Sequence, residues 1–230
     1  MYQLYIGNKN YSSWSLRPWV LLRTLGIPFK EELRPFVPGG SYDEFRSFSP
    51  SGQVPCLVDP KTGEAVWDSL AIVEYLAERH AGVWPADPSA RTYARCAAAE
   101  MHSGFAALRR ICSMNCGIRV RLHEIPADLA RNLARLEDLF TQGLTRFGGP
   151  YLAGASFTAV DAFFAPVAFR AQTYGLQLGP AATLYLARLL TLPAMQEWYT
   201  AALREPYREP DHEAEISASG TITEDLRQRA

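Results

Sequence analysis

The sequence has no long apolar run, and this absence excludes a membrane-spanning helix. No uninterrupted apolar stretch approaches the roughly 18 residues that such a helix needs. The first residues form a strand-like segment, and no basic region followed by an apolar run indicates a signal peptide. We therefore expect a cytoplasmic protein that does not bind a membrane.

An excess of charge of either sign is also missing. The 230 residues include 23 lysines and arginines against 24 aspartates and glutamates, and the formal net charge is -1. Proteins that bind nucleic acid through its phosphates generally carry a basic surplus. We therefore expect no nucleic-acid partner.

Cysteine is scarce, and its spacing suits neither a metal nor a redox pair. The four cysteines are Cys56, Cys96, Cys112 and Cys116. They form no Cys-x-x-Cys motif, and no histidine pair stands near them at ligand spacing. We expect no metal site and interpret the cysteines as reduced residues of a cytosolic protein.

Two kinds of periodicity divide the chain. Residues 1–82 alternate strand and helix signals in the order βαβ then ββα, which predicts an α/β domain with one parallel strand pair. After a linker that contains prolines, residues 90–205 show helical signals only and predict an all-α domain. Its predicted helices span 91–121, 127–147, 158–174, 181–190 and 194–204. Residues 206–230 are polar and predict a poorly packed C-terminal tail.

Ser12 and Ser13 stand where the first predicted helix begins, directly after the first strand and its loop. A helix N-terminus stabilises anions through its N–H groups and its dipole, and a serine hydroxyl there can donate to a thiolate. A free thiol, with a pKa of ~8.5, is only about 3% ionised at neutral pH. Lowering that pKa by about two units needs roughly 2.7 kcal/mol, which a charge-assisted hydrogen bond and a helix N-terminus supply together. The alternative is that both serines only cap the helix.

Two further motifs suit an extended, peptide-like ligand. If the Val54–Pro55 bond that follows Gln53 is cis, the backbone groups of Val54 turn outwards and can pair with a ligand as an added strand does. Asp68 and Ser69 open the next helix, where N–H groups suit a carboxylate and Asp68 suits an ammonium group. Together they suit an α-amino acid. The alternatives are an ordinary edge-strand proline and plain helix capping.

In their order and spacing, these motifs resemble the cytosolic glutathione transferases. The ordered set consists of the Ser-Ser helix start, Ser51-Gly52-Gln53-Val54-Pro55, Asp68-Ser69 and the Ser156–Asp161 segment, in which Thr158 and Asp161 fit the capping box. The resemblance covers residues 1–205 and is greatest to zeta-type and related bacterial serine enzymes. It implies a thioredoxin-like N-terminal domain, a helical C-terminal domain, glutathione as co-substrate and a homodimer.

The resemblance also implies roles for single residues. Ser12, with Ser13 as the alternative, would stabilise the thiolate of glutathione. The residues implied to bind glutathione are Gln53, Val54, Pro55, Asp68 and Ser69. The residues assigned to the co-substrate pocket are Tyr11, Trp14, Met101, Phe105 and Arg109, and Glu100 is assigned to the glutathione amine across a dimer interface.

One departure separates the chain from the zeta pattern, because Trp14 stands where a cysteine is expected. This weakens the maleylacetoacetate isomerase interpretation and removes the thiol that redox-type relatives use. We expect a transferase that conjugates glutathione to small electrophiles, as in detoxification. A glutathione-dependent cis-trans isomerase and a non-catalytic binding protein or scaffold of the same fold are the alternatives.

Overall fold

A four-stranded mixed sheet forms the centre of the first domain in the computed structural model, which describes residues 1–228. Its strands are β1 (Tyr2–Ile6), β2 (Phe29–Leu33), β3 (Cys56–Asp59) and β4 (Glu64–Trp67), in the spatial order β2-β1-β3-β4. β1 and β2 run parallel, and the other two neighbouring pairs run antiparallel. The predicted order of strands and helices along the chain, βαβ then ββα, and the predicted parallel pair are confirmed.

Three helices accompany this sheet, namely α1 (Ser13–Thr24), α2 (Tyr42–Phe45) and α3 (Ser69–Ala77). Leu16, Trp19 and Val20 of α1 are completely buried. The chain leaves α1 at Gly26, whose φ of 66° is a left-handed conformation that glycine adopts without a steric penalty. The sheet and these helices form the thioredoxin-like domain that the resemblance implied.

Within the described residues, seven helices build the second domain. They are α4 (Pro88–Ser103), α5 (Ala106–Ile111), α6 (Ala127–Phe147), α7 (Ala159–Tyr174), α8 (Pro180–Leu190), α9 (Pro193–Arg204) and α10 (Pro210–Ser219). Helix α7 is buried along almost its whole length and packs against α1, α4 and α8. The fold class, an α/β domain followed by a helical domain, is therefore confirmed. None of the helices within residues 1–228 is both long and apolar enough to cross a membrane.

The predicted helix over 91–121 was wrong in its second half. The chain leaves α4 at Gly104, and Phe105 adopts a left-handed φ of 57° before α5 begins. Beyond α5 the chain forms β5 (Ile118–Leu122) instead of continuing as a helix. Ile118, Val120 and Leu122 alternate with arginines, a strand pattern that the helical interpretation of this segment overlooked.

The predicted poorly packed tail was also wrong for residues 206–228. This segment contains α10 and β6 (Gly220–Asp225), and β6 pairs antiparallel with β5. Ile216 is completely buried, and the buried guanidinium group of Arg227 forms ion pairs with Glu213 and Asp225. Residues 229 and 230, which belonged to the same prediction, lie outside the described residues.

Asp161 fixes the start of α7 through the predicted capping box with Thr158. Its carboxylate is completely buried and accepts hydrogen bonds from the backbone N–H groups of Leu152 and Thr158, at 3.1 and 2.9 Å. It also accepts one from the hydroxyl of Tyr185 at 3.0 Å. One side chain therefore joins the 150s loop, the start of α7 and α8.

Replacing Asp161 by alanine is expected to destabilise the protein strongly. Three buried donors would lose their acceptor, and each unsatisfied group costs about 1–3 kcal/mol, so the free energy of unfolding should fall by at least about 3 kcal/mol. Urea denaturation measures it. The control is Asp128→Ala, which removes an exposed ion pair with Arg110 and should cost under about 1 kcal/mol. Equal losses for the two variants would contradict the role given to Asp161.

Candidate functional site

A cleft of about 790 Å³ opens where the first domain meets the helices of the second. All seven residues predicted to hold or activate the thiol ligand line it, namely Ser12, Ser13, Gln53, Val54, Pro55, Asp68 and Ser69. Three separate segments of the first domain contribute these residues: the start of α1, the loop before β3 and the start of α3. The structure therefore brings the predicted residues together in one place.

Ser12 is the N-cap of α1 and belongs to a short hydrogen-bonded chain. Its hydroxyl donates to the hydroxyl of Ser15 at 2.7 Å, and Ser15 Oγ accepts from the backbone N–H of Gly7 at 3.1 Å. Within residues 1–228, the neighbouring Ser13 has no side-chain hydrogen bond, although it also lines the cleft. The two serines thus differ: one is embedded in a network, and the other faces the cleft alone.

The loop before β3 carries the predicted special proline. The Val54–Pro55 peptide bond is cis, the condition under which the backbone groups of Val54 were expected to turn outwards, and Gly52, two positions before Val54, has a left-handed φ of 67°. Cys56 begins β3 directly after this proline. Burial raises the pKa of the Cys56 thiol to about 11, so this cysteine is neutral at physiological pH and does not act as a nucleophile.

Asp68, at the start of α3, has an unusual backbone conformation. Its φ of 71° lies in a region that non-glycine residues rarely adopt and that costs on the order of 1–3 kcal/mol. Its carboxylate accepts from the N–H of Leu70 at 2.7 Å and lies 3.6 Å from the imidazole of His102. The next hydroxyl, that of Ser69, accepts from the guanidinium group of Arg17 at 3.3 Å. Strain of this kind is concentrated at functional sites, which favours a binding role for Asp68.

The residues predicted for the co-substrate pocket divide into two groups. Tyr11, Trp14 and Arg109 line the cleft. Met101 and Phe105 do not line it and belong to the hydrophobic core, because α4 ends just beyond Met101 and turns Phe105 inwards. That part of the prediction was wrong.

Glu100 also lies away from the cleft lining. Its carboxylate accepts two hydrogen bonds from Arg135, at 2.7 and 2.8 Å, and this pairing lowers the pKa of Glu100. An ion pair on the outside of the helical domain is therefore the role that the structure gives to this residue.

The sequence analysis missed the wall that α10 contributes. Glu209, Asp211, His212 and Glu215 line the cleft, all from the segment that was expected to be poorly packed. Tyr11 holds this wall in place, because its hydroxyl donates to Glu213 at 2.6 Å and accepts from Arg227 at 3.2 Å. These hydrogen bonds join residues some 200 positions apart in the chain, so no local sequence pattern could predict them.

Comparison with known proteins identifies both domains. Residues 11–79 match the family model described as glutathione S-transferase, N-terminal domain, and residues 119–201 match the corresponding C-terminal domain. A probable maleylacetoacetate isomerase of Caenorhabditis elegans is 26% identical over 190 residues, which cover 79% of this chain and 84% of the relative. A glutathione S-transferase-like protein of Beauveria bassiana is 24% identical over 170 residues, covering 71% of this chain and 76% of the relative.

Among solved structures, a glutathione transferase homologue from Burkholderia strain BGR1, crystallised with bound glutathione, has the same fold. The TM-score is 0.64 at 23% sequence identity, and the match covers 87% of this chain and 97% of that one. The family model of the C-terminal domain ends at residue 201, so α10 and β6 lie beyond the matched range.

Removing the hydroxyl of Tyr11 should loosen this additional segment. In Tyr11→Phe, Glu213 loses a donor and Arg227 loses an acceptor, so backbone amides of α10 should exchange with solvent about tenfold faster than in the native protein. Hydrogen exchange read by mass spectrometry measures this, with α6 as the internal reference. Tyr207→Phe, which alters an exposed ring, is the control and should leave the exchange unchanged. Unchanged exchange in Tyr11→Phe would show that the hydroxyl does not hold the segment.

Proposed function

We propose that this chain, which belongs to the glutathione S-transferase family, binds glutathione in its cleft and ionises the thiol for attack on a small electrophile. The observation that carries the proposal is the hydrogen-bonded chain from Gly7 through Ser15 to Ser12, which ends at the N-terminus of α1 in the cleft. A helix N-terminus with an adjacent hydroxyl donor stabilises a thiolate.

Glutathione would lie extended across the three segments of the first domain. Its γ-glutamyl end carries an ammonium and a carboxylate on one carbon, and it suits Asp68 together with the start of α3. Its cysteinyl backbone suits the open peptide groups of Val54, as in strand addition, and Gln53 suits its glycyl end. This placement brings the thiol to the start of α1.

Ser12 is the residue we assign to the thiolate. Ser15 Oγ accepts a hydrogen bond from the N–H of Gly7 and keeps its own hydroxyl proton. When that proton turns towards Ser12, the 2.7 Å hydrogen bond between the two serines runs from Ser15 to Ser12 instead of from Ser12 to Ser15. The proton of Ser12 is then free to point at sulfur, and successive hydrogen bonds in such a chain strengthen one another. In the transfer step a carbon–sulfur bond forms, the leaving group departs with its electron pair, and the thiol proton has already passed to solvent.

A cis-trans isomerase is the second candidate, because one relative carries the name probable maleylacetoacetate isomerase. The same thiolate would add to a double bond, allow rotation and leave again. Product analysis separates the two functions: a transferase consumes glutathione and yields a thioether, whereas an isomerase returns glutathione unchanged. The scaffold alternative requires no thiolate site at all. The homodimer stays a prediction, which light scattering in solution would test.

Ser12→Ala is expected to lower kcat at least tenfold while the Kd of glutathione changes less than about threefold. The reason is that the hydroxyl acts on the ionised thiol, and a charge-assisted hydrogen bond is worth about 1.5–3 kcal/mol. The ultraviolet absorbance of the bound thiolate, followed against pH, should show a pKa at least about one unit higher than in the native enzyme.

Ser13→Ala is the matched control for this prediction, since it removes a neighbouring cleft hydroxyl that stands outside the Ser15 chain. Its thiol pKa should stay close to that of the native enzyme. If Ser13→Ala raises the thiol pKa and Ser12→Ala does not, the thiolate role belongs to Ser13.

Asp68→Asn is expected to weaken glutathione binding about tenfold, because the ammonium group of the ligand loses its counter-charge. Asparagine keeps an oxygen that can cap α3 at Leu70, so the free energy of unfolding should change by less than about 1 kcal/mol. Calorimetry measures the first quantity and urea denaturation the second. The control ligand is glutathione without its γ-glutamyl ammonium group, whose affinity the substitution should not change.

A further inference from the structure

Three arginines lie close to one another without acidic partners, and two of them, Arg109 and Arg170, line the cleft. Arg17 comes from α1, Arg109 from α5 and Arg170 from α7. Among residues 1–228 none of the three takes part in an ion pair. Burial and then the charges of Arg109 and Arg170 lower the pKa of Arg17, and burial followed by Arg170 lowers that of Arg109 to about 10. A cluster of this kind repels itself and needs an anion to offset its charge.

Arg170 is the most deeply buried of the charged residues that line the cleft. Its side chain is 4% exposed, and its Nε donates to the carbonyl of Cys112 at 2.7 Å. Its Nη1 is buried and has no hydrogen-bond partner within residues 1–228. An unsatisfied buried donor of a charged group is costly, so its persistence beside a cleft indicates a position prepared for an acceptor.

Arg109 lines the same cleft. Its Nε donates to the carbonyl of Gly104 at 3.0 Å, and its Nη2 donates to the carbonyl of Met101, which fixes the guanidinium plane. Its Nη1, like that of Arg170, is buried and has no partner among the described residues. The guanidinium carbons of Arg109 and Arg17 lie 4.8 and 4.1 Å from the ring centre of Trp14, which also lines the cleft.

The acidic residues of the cleft do not neutralise this cluster. Glu209 pairs with His212, and Glu215 accepts a hydrogen bond from Ser113 at 2.9 Å. Asp68 caps α3. Among the described residues, the carboxylates that α10 and its N-cap bring to the cleft therefore form no ion pair with Arg109 or Arg170.

We propose that the electrophile of this enzyme carries a carboxylate or a similar oxyanion, which Arg170 and Arg109 bind while its apolar part lies against Trp14. The inference rests on the proposed function and adds the chemical class of the second substrate. Both arginines come from the second domain, whereas the proposed contacts to glutathione come from the first, so the bound anion is not a carboxylate of glutathione. Arg17 does not line the cleft, and its guanidinium group donates a hydrogen bond to the hydroxyl of Ser69, which does line it.

Two glutathione conjugates of equal shape test the inference without turnover. S-(4-carboxybenzyl)glutathione and S-(4-carbamoylbenzyl)glutathione differ only in the charge at the far end of the ring. We expect the carboxylate to bind at least about tenfold more tightly by calorimetry, which corresponds to about 1.4 kcal/mol. Equal affinities, within about threefold, would overturn the inference and leave the proposed function intact.

Free glutathione is titrated in the same series to separate the two claims. If glutathione does not bind, the proposed function fails, and the inference that rests on it fails as well. If glutathione binds but the carboxylate conjugate binds no more tightly than the carbamoyl conjugate, only the inference of an anion site is wrong.

The variants Arg170→Met and Arg109→Met test whether these two arginines cause the tighter binding of the carboxylate conjugate. Each should remove most of the advantage of the carboxylate conjugate while the affinity for the carbamoyl conjugate and for glutathione stays within about threefold. Arg110→Met is the control, because Arg110 follows Arg109 in the same helix but forms an exposed ion pair with Asp128. A carboxylate preference that survives both substitutions would overturn the assignment. Should a variant fail to fold, the comparison of the two conjugates on the native protein still decides.

Discussion

The burial of α1 between two domains is the constraint on which the rest of the structure depends. One side of the helix packs against β1 and α3, and the other packs against α7 and α9. The loop that leads into it is held from the second domain: Asn10 donates to the carbonyl of Ala202 at 2.6 Å, and Trp198 donates to that of Lys9 at 2.9 Å. The helix start therefore cannot shift without moving both domains. That rigidity supports precise placement of a hydroxyl.

Several features that cost stability line the cleft. Asp68 occupies a strained backbone conformation, and Arg109 and Arg170 keep unsatisfied donors in buried positions. The buried carboxylate of Asp161, by contrast, accepts hydrogen bonds from three donors. Unsatisfied polar atoms also occur away from the cleft, at Thr24 and Gln172 for example. What distinguishes the cleft is that a strained carboxylate and two unsatisfied guanidinium groups line one space, which supports a ligand there.

Local patterns predicted much of the fold and the first-domain half of the candidate site. Ser12, Val54–Pro55 and Asp68 each stand at the start of a helix or strand, where the residue type alone limits what the backbone does. The missed parts depend on contacts between distant segments. Arg170 lies within a mostly apolar helix, and only the tertiary structure brings its charge close enough to act on Arg109. Ile118 and Val120 did carry a strand pattern, but their partner strand lies about 100 positions further along the chain.

The C-terminal segment brings α10 to the lining of the cleft and adds acidic side chains to it. Without α10 the arginines of α5 and α7 would face open solvent, where water and salt would screen them. With α10 in place, which packs against α5, Glu209 and Glu215 line the same cleft. An anion entering such a cleft is attracted by the guanidinium groups and repelled by the carboxylates, which favours the direction of binding that brings its charge to the arginines. The same segment that was expected to be a loose tail is therefore the element that would orient a charged electrophile towards the thiol.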